Sequence, residues 1–172
     1  MTQDMPFFGP TLHTVVECPA CGFRHVSSMV LRQGPPARHT FHFRAPADLA
    51  VRVVRADSCT YSVPELGFTA EPAEASEAFV SNVEGVLERV RDILVRARLL
   101  VGEHGQRARA EELLVQLQRI VDGKEGATLV LEDPFGNSAI HSERTLTESL
   151  TEEEAAALRS GRVVIDAEDL PG

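Results

Sequence analysis

The residues with the clearest chemistry are two cysteines, Cys18 and Cys21, in the segment Glu17–His25 (ECPACGFRH). A Cys-x-x-Cys pair followed by glycine forms a tight turn that points both sulfurs at one place, which builds half of a tetrahedral zinc site. A complete site needs two more ligands, and the only other cysteine is Cys59. The sequence therefore predicts half of a zinc ribbon, with zinc as the cofactor and Cys18 and Cys21 as ligands.

Other interpretations of these residues are weaker on physical grounds. His13 and His25 could reach the turn and complete a Cys2His2 set, but we expect ordinary surface histidines. A redox dithiol normally opens a helix after a strand, whereas the residues after Cys21 have a strand pattern. Cys59 is predicted to be a small buried apolar residue.

A second set of metal-binding residue types is spread over His39, His42, Glu65 and His141. Cupin enzymes hold a metal in a β-barrel through a His-x-His pair, a carboxylate and a later histidine. Here the spacing is His-x-x-His, which puts His39 and His42 on opposite faces of a strand. The chain also lacks a pattern for a Ser/His/Asp triad, a phosphate-binding glycine loop or a basic aromatic groove. We therefore predict a protein that is not an enzyme, with a cupin-like metalloenzyme as the alternative.

Composition restricts the class of partner and the compartment. The 172 residues carry a net charge of −9, which argues against binding to a nucleic-acid backbone. Three cysteines are too few for a disulfide framework, and a reducing compartment suits a Cys-x-x-Cys metal site. Apolar runs are too short to span a bilayer, and the first 17 residues do not resemble a leader. We expect a cytoplasmic protein with no membrane contact.

The elements that must position these residues are mostly short strands. Apolar alternation predicts strands over 11–17 and 26–32 on either side of the cysteine turn. Further strands are predicted over 39–44, 49–54, 58–63, 68–69 and 128–132, separated by Gly/Pro turns, as in a β-sandwich or barrel. Residues 1–10 are expected to be a turn-rich segment with Phe7 and Phe8 as an apolar plug.

Two amphipathic helices interrupt the strands. The first is expected to begin at a capping box of Ser81 and Glu84 and to end at Gly102, and the second runs over 106–122. After them, Asp133–Ser138 (DPFGNS) has the composition of a type I turn and predicts a β-hairpin with a stiff tip. Thr151 caps a short helix, and 163–165 is a candidate last strand.

Four motifs in this order resemble the ZPR-type zinc-finger protein family, in its shorter single-module archaeal form. They are Cys18–Gly22 (CPACG), Ala56–Leu66 (ADSCTYSVPEL), Val83–Glu88 (VEGVLE) and Asp133–Ser138. The resemblance implies a zinc ribbon joined to a double-stranded β-helix, a jelly-roll-like fold, that carries a helical hairpin. The expected fold class is thus mainly β with an α insertion. We place a partial zinc ribbon at 1–33, the β-helix domain at 34–147 with the hairpin at 81–123, and an acidic helix and tail at 148–172.

The resemblance also implies a function. Eukaryotic members bind translation elongation factor one-alpha and assist its folding, and no catalytic chemistry is attached to the family. On this basis the chain is expected to be a zinc-binding interaction or folding factor, with Glu65, Asp133 and Asn137 as candidate partner contacts. A metal-free β-helix interaction protein is a further alternative.

The chain departs from the family in one respect. Relatives carry a first Cys-x-x-Cys upstream of a Pro-Phe-Phe-Gly-like stretch, and here Met1 stands just before Met5–Gly9 (MPFFG). Four explanations are open: a longer natural protein, local substitute ligands, a homodimer that shares one zinc through Cys18 and Cys21 of each chain, or loss of the metal.

Overall fold

The computed structural model describes residues 2–5, 9–31, 33–73, 76–100 and 104–158, and these residues form three β-sheets and a helical insertion. The strands are β1 (Thr2–Met5), β2 (Gly9–Glu17), β3 (Arg24–Val30), β4 (Ala37–Phe43), β5 (Arg52–Arg55), β6 (Thr60–Val63), β7 (Phe68–Ala70), β8 (Phe79–Asn82), β9 (Ala127–Asp133), β10 (Ala139–His141) and β11 (Leu146–Ser149). The α-helices are α1 (Val83–Leu100), α2 (His104–Val121) and α3 (Glu152–Ala157), and short 3-10 helices span Pro46–Ala50 and Pro64–Leu66. None of the helices described is long and apolar enough to cross a membrane.

The N-terminal sheet has the strand order β1-β2-β3 and is antiparallel throughout. Strands β2 and β3 pair up to Glu17 and Arg24, so the cysteine turn forms the tip of a hairpin, as the sequence predicts. Strand β1 was not predicted, because Thr2–Met5 lacks apolar alternation and becomes a strand only by pairing with Gly9–Leu12. The predicted plug of Phe7 and Phe8 lies outside the described residues.

Two further sheets form the jelly roll, which confirms the predicted mainly β fold with an α insertion. Their strand orders are β10-β5-β8 and β11-β4-β9-β6-β7. Phe41 and Phe43 of β4 alternate inward, and Leu129 of β9 pairs with Phe41, so that the core is filled by side chains of adjacent strands. Strand β11, whose four residues are all exposed, was not predicted because it lacks an apolar face and pairs along the edge of β4.

The helical insertion packs into this same core. The predicted stripe of α1 is buried at Val86, Leu87 and Val90, and α2 contributes Leu117 and Ile120 to the same apolar cluster. Amphipathic helices gain most of their stability from such a packed face, so the hairpin is an integral part of the fold.

The start of α1 differs from the prediction. The carboxamide oxygen of Asn82 accepts a hydrogen bond from the N–H of Gly85 at 2.8 Å, so Asn82 caps the helix and Ser81 does not. Ser81 is still in β8, opposite Val53 of β5, and strand pairing therefore moves the cap one residue along the chain. The predicted stop at Gly102 lies outside the described residues.

The predicted strand over 49–54 is partly wrong, because its first two residues end the 3-10 helix Pro46–Ala50 and the strand begins only at Arg52. Asp48 is buried, and its carboxylate accepts hydrogen bonds from the backbone N–H of Arg44 and of the next residue, and ion-pairs with Arg144. The N–H of Arg44 is the main cause of the lowered pKa of Asp48, with the second N–H and Arg144 adding to it. A capping carboxylate thus turns the chain where alternation alone predicts a strand.

The predicted β-hairpin around Asp133 is also wrong. Strand β9 pairs with β4 and β6, whereas β10 pairs with β5 in the other sheet, with Ile140 opposite Val53. The turn after β9 therefore carries the chain from one sheet to the other. The short helix α3 is capped as predicted, because Thr151 and Glu154 exchange side-chain-to-backbone hydrogen bonds. The candidate strand over 163–165 lies outside the described residues.

Candidate functional site

The cysteine turn has the backbone geometry of a metal-binding knuckle. The N–H of Cys18 donates to the carbonyl of Phe23 at 2.8 Å, and the N–H of Gly22 donates to the carbonyl of Cys18 at 2.9 Å. Gly22 has φ of +73°, in the left-handed region that glycine adopts without strain. The glycine after the second cysteine thus closes the turn and returns the chain into β3.

Both thiols of this turn face the same space. The pKa of Cys18 is lowered, chiefly by the backbone N–H of Cys21, then by that of Ala20, and then by the Cys21 thiol itself. N–H groups directed at a sulfur stabilise its thiolate, which is the form that binds a metal. Cys18 is half-buried and Cys21 exposed, so a cation could reach both sulfurs from solvent.

These two residues fit half of a tetrahedral zinc site. In the described part of the chain, no third His, Cys, Asp or Glu side chain joins them in a group that could hold a metal. Glu17 and Arg24 form an exposed ion pair at 2.9 Å between the strands that lead into the turn. The side chains of His13 and His25, the substitute ligands considered above, lie outside the described residues.

The cupin-like set does not assemble within the residues described. His42 Nδ1 lies 2.8 Å from the hydroxyl of Thr128, and that hydroxyl donates to Glu65 Oε1 at 2.7 Å. His39 instead meets Thr147, with 3.0 Å between Nδ1 and Oγ1, and partial burial lowers the pKa of its imidazole. Thr128 thus lies between His42 and Glu65 and bonds both of them. These described side chains therefore do not converge on one position where a metal could bind.

Two of the motifs that carry the family resemblance meet in one buried network around Asp133, whose side chain is 0% exposed. Its Oδ1 accepts from the hydroxyl of Ser58 at 2.9 Å and from the N–H of Phe135 at 2.9 Å. Its Oδ2 accepts from the hydroxyl of Ser138 at 2.7 Å and from the N–H of Asn137 at 2.8 Å. Asp133 was predicted as a partner contact, but a fully buried carboxylate with four donors cannot touch a partner, and its role is to join the two loops.

The other predicted contacts are placed differently. Glu65 is exposed, and its carboxylate is fixed by Thr128, whose N–H donates to Oε2 at 3.0 Å in addition to the hydroxyl bond. Asn137 is half-buried beside the Asp133 network. Cys59 is fully buried, and burial raises the pKa of its thiol to about 12, which agrees with its predicted apolar role.

A comparison with protein families identifies the fold. Residues 47–156 match the family model described as the ZPR1 jelly-roll domain. The chain belongs to the ZPR1 family. The chain is 41% identical to an uncharacterized ZPR1-like protein of Methanocaldococcus jannaschii over 163 residues, which covers 95% of this chain and 82% of the relative. It is 37% identical to a ZPR1-like protein of Pyrococcus horikoshii, over 97% of this chain and 77% of that protein.

More distant ZPR1 relatives come from eukaryotes. The zinc finger protein ZPR1 of Bos taurus is 27% identical over 81% of this chain, but the match spans only 31% of that longer protein. The zinc finger chaperone zpr1 of Schizosaccharomyces pombe is 25% identical over 81% of this chain and 31% of its own length.

One residue of functional interest was missed in the sequence. Arg55 ends β5 and is only 5% exposed, although a charged residue at the end of a short strand suggests a solvent position. Nothing local in the sequence marks it, because its burial arises from the packing of β6, β8 and α1 around it. The motifs contain Ser58 and Ser138 without indicating that they meet, and their hydroxyls prove to be the buried partners of Asp133.

Proposed function

We propose that this ZPR1-family chain is a zinc-binding, non-enzymatic protein-interaction factor of the chaperone type, which works in the cytoplasm. The observation that carries the proposal is the pair of convergent thiols at Cys18 and Cys21, with two backbone N–H groups that favour the Cys18 thiolate. The names of the eukaryotic relatives, zinc finger protein and zinc finger chaperone, support it. The motif residues around Asp133 support the non-enzymatic part of the proposal, since their buried polar groups bond one another and hold two loops together.

A structural zinc held by Cys18 and Cys21 would fix the tip of the β2–β3 hairpin. The remaining two ligands would come from outside the described residues or from a second copy of the chain, in which case one zinc would serve two chains. The zinc would contribute no reaction step, because its task would be to hold the hairpin in one conformation.

Zinc content per chain tests the metal part. Native mass spectrometry of the full chain purified without chelator should show one zinc per chain, or one zinc per dimer. The double variant Cys18→Ser/Cys21→Ser should carry none, while Cys59→Ala, the matched control, should keep it. A zinc-free wild-type protein, or zinc that survives the double substitution, would contradict the assignment and favour a metal-free interaction protein.

For the partner, we propose translation elongation factor one-alpha, as the family resemblance implies. The tagged full-length chain should retain the elongation factor of its own source organism, and retain the GDP-bound form. Glu65 and Asn137 are proposed contact residues, whereas Asp133 acts indirectly by shaping the loop that presents Asn137. Glu65→Gln should reduce retention, and Glu148→Gln, an exposed change on β11, should not. Failure to retain the GDP form refutes this partner.

A further inference from the structure

The buried guanidinium of Arg55 lies at the wall of a cavity of about 400 Å³. The cavity lies beside β7 and β8, the edge strands of the two jelly-roll sheets, and beside the face of α1 that carries Arg89, Ile93 and Arg96. These three helical residues are four and three positions apart, so they share one side of α1. The cavity is thus a joint feature of both sheets and the helical insertion.

Arg55 is held in place by backbone carbonyls and has no acidic partner among the residues that the structure describes. Its Nε and Nη2 donate to the carbonyl of Cys59 at 3.0 and 2.8 Å, and its Nη1 donates to the carbonyl of Glu77 at 3.1 Å. Among the residues described, no carboxylate forms an ion pair with Arg55, and none forms one with Arg89 or Arg96. A guanidinium has five N–H donors, so one remains on each terminal nitrogen of Arg55.

A second polar group at the cavity is the hydroxyl of Tyr61. Tyr61 is 6% exposed, and its hydroxyl makes no hydrogen bond to another residue in the described part of the chain, where it is not among the fully buried polar atoms that lack a partner, so the oxygen is open to solvent or a ligand. The ring of Tyr61 lies under Arg55, with 5.5 Å from Cζ to the ring centroid, and Phe79 stands edge-on to it at 6.4 Å. Arg89 stacks on the other aromatic wall, 4.3 Å from the centroid of Phe79.

We propose that this cavity binds a carboxylate, the acidic side chain of an extended peptide segment from a partner protein. Within the described residues Arg55 is a buried cation without a counter-ion, which is a costly arrangement, and a carboxylate that accepts from Arg55 and Tyr61 would remove that cost. The aromatic walls and Ile93 would pack against the apolar stem of the side chain. Edge strands β7 and β8 beside the cavity are the places where an extended segment can add main-chain hydrogen bonds.

Acidic residues at the cavity set the selectivity. Glu71, Glu77 and Asp92 also line it, and all three side chains are exposed to solvent. Solvent screens their repulsion of a single carboxylate more than it weakens the attraction of a buried arginine. A ligand with a higher charge density, such as inorganic phosphate, meets more of this repulsion, so the cavity favours the singly charged group.

The chain supplies its own probe for a test, because Tyr61 is its only tyrosine and there is no tryptophan. Intrinsic fluorescence therefore reports on the cavity alone. The full-length protein is titrated with an acetylated and amidated peptide Ala-Thr-Glu-Thr-Ala, and separately with its glutamine analogue, glutarate and inorganic phosphate. We expect saturation by the glutamate peptide with a Kd of roughly 0.1–1 mM, and binding of the glutamine analogue at least about tenfold weaker.

Variants locate the site. Arg55→Gln and Arg55→Lys should each weaken binding of the glutamate peptide about tenfold or more. The first variant loses the positive charge, and the second loses the paired N–H donors of the guanidinium. Arg89→Gln changes an exposed residue, so it keeps the test valid if the variants of buried Arg55 do not fold. Arg91→Gln is the matched control, since Arg91 lies on the same helix but bonds Gln118 outside the cavity. Melting curves would confirm that each variant is folded.

The outcomes are separable. Equal binding of the glutamate and glutamine peptides, or unchanged binding in both Arg55→Gln and Arg89→Gln, overturns the proposal. Phosphate binding as tight as the peptide overturns the carboxylate assignment, and glutarate binding as tight overturns the assignment to a peptide. The inference rests on the proposed function only in taking the ligand to be a protein segment. Retention of the elongation factor is measured independently, so the two can fail separately.

Discussion

Replacement of Asp133 by alanine should destabilise the jelly roll severely. The carboxylate is 0% exposed and accepts four hydrogen bonds, two of them from the hydroxyls of Ser58 and Ser138, which are 2% and 5% exposed. A buried donor that loses its acceptor costs about 1–3 kcal/mol. The two hydroxyls alone therefore give a loss of about 2–6 kcal/mol, against a typical total stability of about 5–15 kcal/mol.

The backbone donors add a finer prediction. The N–H groups of Phe135 and Asn137 are only partly buried, and water can replace the carboxylate for them. Asp133→Asn keeps the shape but turns one acceptor oxygen into a donor. Each carboxylate oxygen accepts from one hydroxyl and one backbone N–H, so the new amide donor faces one of each. The hydroxyl can rotate away but the backbone N–H cannot, so this variant should lose about 1–3 kcal/mol of stability.

Urea unfolding of the full chain measures these losses, with circular dichroism and tyrosine fluorescence as probes and linear extrapolation to water. Glu132→Gln is the matched control on the neighbouring position of β9, where an ion pair with Arg38 at 2.8 Å is partly exposed and should be worth less than about 1 kcal/mol. Ser58→Ala should cost less in the Asp133→Ala background than in the wild type, because the two residues share one bond. If the free energy of unfolding of Asp133→Ala lies within about 1 kcal/mol of that of Glu132→Gln, the network does not hold the sheets together.

Three further predictions follow from single residues. A Cβ at Gly136 (φ +60°) would lie 2.3 Å from a backbone carbonyl oxygen, whereas a Cβ at Gly22 (φ +73°) would meet nothing within 4 Å. Urea unfolding should therefore show a loss of stability of at least about 2 kcal/mol for Gly136→Ala and of about 1 kcal/mol or less for Gly22→Ala. Equal losses would contradict this. With its pKa raised to about 12, Cys59 should resist iodoacetamide at about pH 8 in the folded, zinc-free chain, and mass spectrometry should find the third label only after unfolding. Because the pKa of Asp48 is lowered in the folded chain, its carboxylate stabilises the fold above the unfolded pKa of about 4, and this stabilisation is lost as the pH falls through the folded pKa. Asp48→Asn should therefore reduce the free energy of unfolding at neutral pH and make its decrease in acid less steep. Parallel pH profiles of the two proteins would refute this.

Local patterns in the sequence determined the type of most elements. The knuckle, its two strands, the apolar stripes of α1 and α2 and the Thr151 cap of α3 each depend on residues within a few positions of one another, so spacing alone predicts them. The same holds for the turn chemistry at Asp133, whose carboxylate does bond the N–H groups of Phe135 and Asn137. The errors at Ser81 and over 49–54 arose where a neighbouring strand or a capping side chain outweighed the local pattern.

Only the tertiary structure decided which strands pair and which polar groups are buried. Ile140 lies opposite Val53, and Ser58 donates to Asp133, contacts between residues that are far apart in the chain. A hydrogen-bonded turn is compatible with a hairpin or with a crossing between sheets, and the choice is made by the packing of β5 against β10. Tertiary packing also encloses Arg55, between Tyr61 of β6 and Phe79 of β8. Burial of a side chain is a property of all the elements around it and leaves no mark on the residue itself.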